Sequence, residues 1–171
     1  MRYFLLILLA WTPTVFALDV YQEPQEFVRE VFNGDVEPHV LWITPALRPA
    51  IREIMGHDLD VMRVRYWGDD GRAAWILEEI GKERPITAGI VVNRGKIERI
   101  KALIYRESRG SEVRYPFFTD QFKGAGLTSA KQLDKSIDGI SGATLSVRAL
   151  TKLSRLALYF TQHIEANRGA P

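Results

Sequence analysis

The chain has no cysteine. That excludes disulfides, a lipid-modified cysteine, thiolate metal centres and iron–sulfur clusters. Histidine is nearly as scarce. His39, His57 and His163 are scattered, and His57-Asp58-Leu59-Asp60 has no ligand partner at metal spacing, so structural or solvated roles are their default and no metal is expected. An excess of one charge is missing too. Lys and Arg number 23 against 21 Asp and Glu, and no long run of like charge occurs. Neither a nucleic-acid partner nor strong electrostatic steering is indicated. A dinucleotide loop is also lacking: Gly124-Ala125-Gly126 has no third glycine, and no strand leads into it.

What is present begins at the N-terminus. Arg2 precedes an apolar run from Tyr3 to Trp11, followed by Thr12-Pro13-Thr14 and Val15-Phe16-Ala17. A charge, a short apolar core, a helix breaker and a small residue predict a signal peptide over residues 1–17, cleaved after Ala17, and a periplasmic destination. The alternative is an uncleaved membrane anchor, for which the run falls short of the roughly 20 apolar residues a spanning helix needs. Residues 18–171 are long enough for one domain with its own core.

Along that stretch, Phe27, Val28, Val31 and Phe32 form a helical stripe from Pro24, closed by Asn33-Gly34. Val40 to Ile43 reads as a short strand, and Pro45 to Met55, stopped by Gly56, as a second helix. From Leu59 the period becomes two. Val61 to Trp67 and Arg72 to Glu78 flank Gly68-Asp69-Asp70-Gly71, a hairpin signal. Ile86, Ala88, Ile90 and Val92 alternate up to Asn93-Arg94-Gly95; Ile100, Ala102 and Ile104 alternate beyond it. Ile97 is out of phase, which predicts a bulge near Glu98. Arg106 to Ile137 reads as loop with short elements. Leu150, Leu153, Leu156, Ala157, Phe160 and Ile164 recur at helical spacing, so Leu145 to Ile164 is an amphipathic helix. The expected fold is α+β: an antiparallel sheet of about four strands packed with helices, preceded by a helical part.

The final helix opens on Asp138-Gly139-Ile140-Ser141-Gly142-Ala143-Thr144-Leu145-Ser146. Thr144 falls in its first turn, where unpaired N–H groups and the helix dipole favour an anion. The two glycines leave room for a bulky group to approach. By spacing alone, the alternative is a loop-to-helix junction with Ser141 or Thr144 as N-cap.

Asp-Gly-x-Ser-Gly-Ala-Thr followed by Leu-Ser resembles the flavinylation motif of the FMN-binding domain family. That family includes flavinylated components of the sodium-pumping NADH:quinone reductase and of the Rnf electron-transport complex. The resemblance is sharpest at Asp138 to Ser146 and extends loosely over about Val61 to Leu158. It implies covalent FMN joined by a phosphoester to Thr144, with Asp138, Gly139, Ser141, Gly142 and Ala143 around it, and a flavin transferase as maturation partner. Arg106 to Gly110 and Phe117 to Gly124 are similar to the family's loop ahead of the motif. Glu107, Ser108 and Arg109 are therefore expected near the flavin, with Phe117, Phe118 or Phe122 packed against it. Arg148, one turn after Thr144, either pairs with the phosphate or is solvated. The implied role is an electron carrier that docks to a membrane redox protein. A signal peptide in place of a true membrane helix is a departure from those respiratory-complex components. The rival readings are a flavin reductase with its own small substrate and a binding module without flavin.

Overall fold

The computed structural model describes residues 19–69 and 71–168. The expected signal peptide falls on residues 1–17, outside them. In chain order the elements are β1 (Asp19–Val20), α1 (Pro24–Phe32), β2 (His39–Trp42), α2 (Arg48–Met55), β3 (Arg63–Asp69), β4 (Arg72–Ile80), β5 (Pro85–Asn93), β6 (Lys96–Tyr105), α3 (Pro116–Thr119) and α4 (Thr144–Arg168). Two 3₁₀ turns flank α3, at Ser111–Arg114 and Asp120–Phe122.

The strands form one antiparallel sheet in the order β1-β6-β5-β4-β3-β2. Among the described residues it has six strands, where about four were expected. The extra pair are the edges. β1 is two residues long and carries no pattern to read, and β2, though visible as a strand, gives no sign of its partner.

Helices cover both faces. On one, α2 and α4 bury Ile51, Ile54, Leu150, Leu153 and Leu156 against Trp75, Ile86, Ala88, Ile90 and Val92. Trp75 donates its ring N–H to Thr161 Oγ1 at 2.9 Å, fixing α4 over β4. On the other face α1 buries Phe27, Val28 and Val31 against Trp67, Ala74, Val91 and Leu103. β5 is thus covered on both sides, and Gly89 is the residue over which Phe27 lies. The ends of α1 follow from Pro24 in its first turn and from Asn33, which is left-handed and donates its N–H to the Arg29 carbonyl.

β6 carries two bulges. Val91 faces Arg99 and Val92 faces Ile97, so Glu98 is the extra residue, as the phase of Ile97 predicts. Thr87 faces Ile104 and Ala88 faces Ala102, so Leu103 is a second one. Strand phase reverses at each bulge. The second therefore turns Tyr105 onto the α4 face, where it is buried.

Candidate functional site

α4 begins at Thr144, which is exposed. The Ala143 carbonyl accepts the Val147 N–H at 3.0 Å. The N–H groups of Thr144, Leu145 and Ser146 therefore precede the first intrahelical bond and are open to a ligand. Ala143, not Ser141 or Thr144, occupies the capping position, and its own N–H bonds the Ile140 carbonyl at 3.0 Å. Gly142 makes the turn into the helix with φ of +80°. A Cβ there would meet no atom within 4 Å, so the space in front of it is open.

The end of β6 faces this turn. Lys82, Glu107, Ser108, Arg109 and Gly142 to Ser146 enclose a cleft of about 540 Å³, within the range of small-molecule sites. Tyr105 joins its two sides. Its buried hydroxyl donates to the Arg109 carbonyl at 2.6 Å and so accepts from Ser146 Oγ at 2.8 Å. Burial pushes the Tyr105 pKa up, keeping the hydroxyl protonated as that donor. Gly110 makes this closeness possible: its φ is +85°, and a Cβ would lie 2.9 Å from the Tyr105 hydroxyl.

Glu107 holds the third wall. One carboxylate oxygen accepts from the backbone N–H groups of Lys82, of Glu83 at 2.7 Å and of Arg84 at 3.0 Å. Burial alone would raise the Glu107 pKa; these three donors and the Lys82 charge outweigh it and hold the carboxyl below its usual range. The carboxylate thereby fixes the β4–β5 turn, and Lys82 with it, beside Thr144. Lys82 and Arg109 both present exposed cationic side chains to the cleft. Among the described residues no carboxylate or imidazole hydrogen-bonds the Thr144 hydroxyl, so nothing activates it as a nucleophile.

Glu107, Ser108, Arg109, Gly142, Ala143 and Thr144 thus line one cleft. Asp138, Gly139 and Ser141 are exposed in the approach to the turn and do not line the cleft; the Asp138 N–H bonds Gln121 Oε1 at 2.7 Å. Phe118 and Phe122 are wholly buried, edge to face at 5.4 Å, and do not reach the cleft. Phe117 is the exposed member of the three, at 63%. Arg148 is exposed and off the cleft wall. Lys82, Tyr105 and Ser146 were not singled out from sequence. Ser146 lay inside the motif, but nothing local marked its partner 41 residues away.

Among the described residues, no group of three or more histidines and carboxylates is placed to hold a metal, and no helix is long and apolar enough to cross a membrane. Residues 81–159 match the profile of the FMN-binding domain. That stretch takes in β5, β6, the connecting loops and the first four turns of α4, and leaves out β1–β4, α1 and α2. No curated protein matches the chain.

Proposed function

Residues 81–159 match the FMN-binding domain, and on that premise we propose that the chain is an exported electron carrier with FMN held by a phosphoester to Thr144. The observation that carries the reading is the exposed Thr144 at the mouth of α4, inside a cleft shared with the Glu107–Arg109 loop. The residues present fit the group. Lys82 and Arg109 can neutralise its phosphate, and the first-turn N–H groups can bond phosphate oxygens. The open space before Gly142 admits bulk, and Leu145, 39% exposed, offers an apolar contact beside the attachment point. When bound, FMN supplies the ring that takes up and releases electrons.

The unactivated Thr144 hydroxyl calls for a flavin transferase. A covalent bond keeps the cofactor with the protein outside the cytoplasm, where lost FMN is not readily replaced. Cleavage after Ala17 would release a nearly neutral chain that exchanges electrons by docking to a membrane redox protein. A flavin reductase with its own small substrate is the second reading. One observation favours it: another cleft lies on the far side of the Gly81–Arg84 turn, lined by Ile80 and Pro85.

The test is anaerobic. Flavinylated protein is mixed with NADH or NADPH, then with membranes from the source organism, while flavin absorbance is followed. A carrier is bleached only when membranes are added. Fast, saturable bleaching by the nucleotide alone would overturn the carrier reading.

A further inference from the structure

The sheet is split. β3 divides itself between two neighbours: Tyr66–Asp69 pair with β4, while Arg63–Tyr66 pair with β2. Beyond the Tyr66/Trp75 pair the strands part, and Ile76 to Ile80 of β4 pair only with β5. A cleft of about 590 Å³ occupies the gap. Val64 and Trp67 line it from β3, Ile76, Leu77 and Ile80 from β4, and Leu156 from α4. Alternate residues of Ile76–Ile80 turn backbone N–H and C=O groups toward this gap, where no strand among the described residues receives them.

Three of the four acids on its wall are engaged, Glu78 by Thr87 and Arg106, while Asp60 stands exposed at the rim. Glu79 accepts from His57 Nε2 and from Lys152 Nζ, both at 2.9 Å, and Asp58 pairs with Arg52 at 2.9 Å. Arg63 and Arg65 stand exposed on the rim. Beside the mouth, Val61, Met62 and Ile80 are exposed at 47, 74 and 61%. The cleft is therefore an apolar slot with hydrogen-bond donors at its β3 and β4 edges, one carboxylate, Asp60, at its rim, and an apolar shelf outside it. It also adjoins the flavin cleft. Ile80 lines one and Lys82 the other, so these walls stand at most about 7.6 Å apart between Cα atoms.

We propose that this second cleft binds a flat, uncharged, carbonyl-bearing molecule of the quinone class as an electron acceptor for the flavin. The proposal rests on the flavin for its redox role, though not for binding, and develops the second reading, in which the flavin serves a small substrate of its own. The ring slides between the parted strands. Its carbonyl oxygens accept from the unpaired β4 N–H groups and from Arg65, and any apolar tail lies along Val61, Met62 and Ile80. Exchange moves two electrons and two protons from reduced flavin to the two carbonyl oxygens. The products are the diol and oxidised flavin, and no other reactant is consumed.

The probe is menadione, titrated calorimetrically into the flavin-free Thr144→Val protein. Saturable one-to-one binding is expected. Ile80→Glu, at an exposed position, should weaken it at least about tenfold by setting a carboxylate against the ring. Ile76→Trp should weaken it by filling the slot, and circular dichroism checks that both variants fold. In flavinylated protein, menadione should reoxidise pre-reduced flavin anaerobically at a rate that saturates and falls in the same two variants. Absence of saturable binding to the Thr144→Val protein, or binding that both folded variants leave unchanged, would overturn the proposal. A protein that binds menadione but never acquires flavin would remove the redox role and the carrier reading together, leaving the binding site itself standing.

Discussion

Replacing Tyr105 by Phe removes one oxygen and two hydrogen bonds from the centre of the site. The consequences differ on the two sides. The Arg109 residue is exposed, so its carbonyl can turn to water. Ser146 is only 4% exposed, and its hydroxyl loses its acceptor. A buried polar group left unpaired costs about 1–3 kcal/mol. With about 2 kcal/mol assigned to Tyr105→Phe, the melting temperature of a chain this size should fall by roughly 4–8 °C. Ser146→Ala alone should cost less, about 1 kcal/mol, because Tyr105 keeps its bond to Arg109. In the Tyr105→Phe background, Ser146→Ala deletes the orphaned hydroxyl and should cost nothing or restore some stability. Urea unfolding of the four proteins of this cycle measures the coupling. Losses that add to within about 0.3 kcal/mol would refute the bond between β6 and α4 as the site's brace.

Gly89→Ala should destabilise by about 1–3 kcal/mol through overpacking: its Cβ would fall 2.5 to 2.8 Å from three ring atoms of fully buried Phe27. Unchanged urea stability would contradict the packing of α1 on β5. Glu107→Ala should raise amide exchange at Lys82, Glu83 and Arg84, read by hydrogen–deuterium exchange, and leave exchange in α4 unchanged; retained protection in the turn would mean that Glu107 does not hold it. The His57 pKa is raised above 6.5, first by its bond to the Asp58 carbonyl and then, against burial, by Glu79. Its contribution to stability is therefore complete below pH 6.5 and fades as pH rises through the folded-state value. The stability gap between the native protein and His57→Gln should narrow from pH 6 to pH 8 by about the lost linkage; a gap that widens would reverse the assignment.

Features carried by neighbouring residues were legible in the sequence. Pro24 and Asn33 mark α1, and the phase of Ile97 marks the Glu98 bulge. The place of Thr144 at the start of α4 was legible because its loop, glycines and helix are contiguous. The second bulge was not. Leu103 and Ile104 are both apolar, so a phase reversal between them leaves the pattern unchanged while it redirects Tyr105. Phe118 shows the same limit: Phe117 and Phe118 are adjacent and chemically alike, and only packing against Phe122 decides which is buried. Lys82 reaches the site through the Glu107 carboxylate 25 residues later, a contact with no local signature. The split between β3 and β4 leaves Ile76 to Ile80 of β4 paired with β5 alone, and the alternation of β4 is the same whether or not β3 pairs with it.

The attachment of FMN to Thr144 is tested most directly by peptide mass. The chain is expressed with an active flavin transferase, denatured, digested and sequenced by tandem mass spectrometry. The peptide holding Ser141 to Ser146 should carry the mass of FMN less one water, localised to Thr144. The Thr144→Val protein should keep the same circular dichroism and urea midpoint while remaining colourless. An unmodified Thr144 peptide in the presence of the active transferase, or flavin on any other residue, would contradict the account.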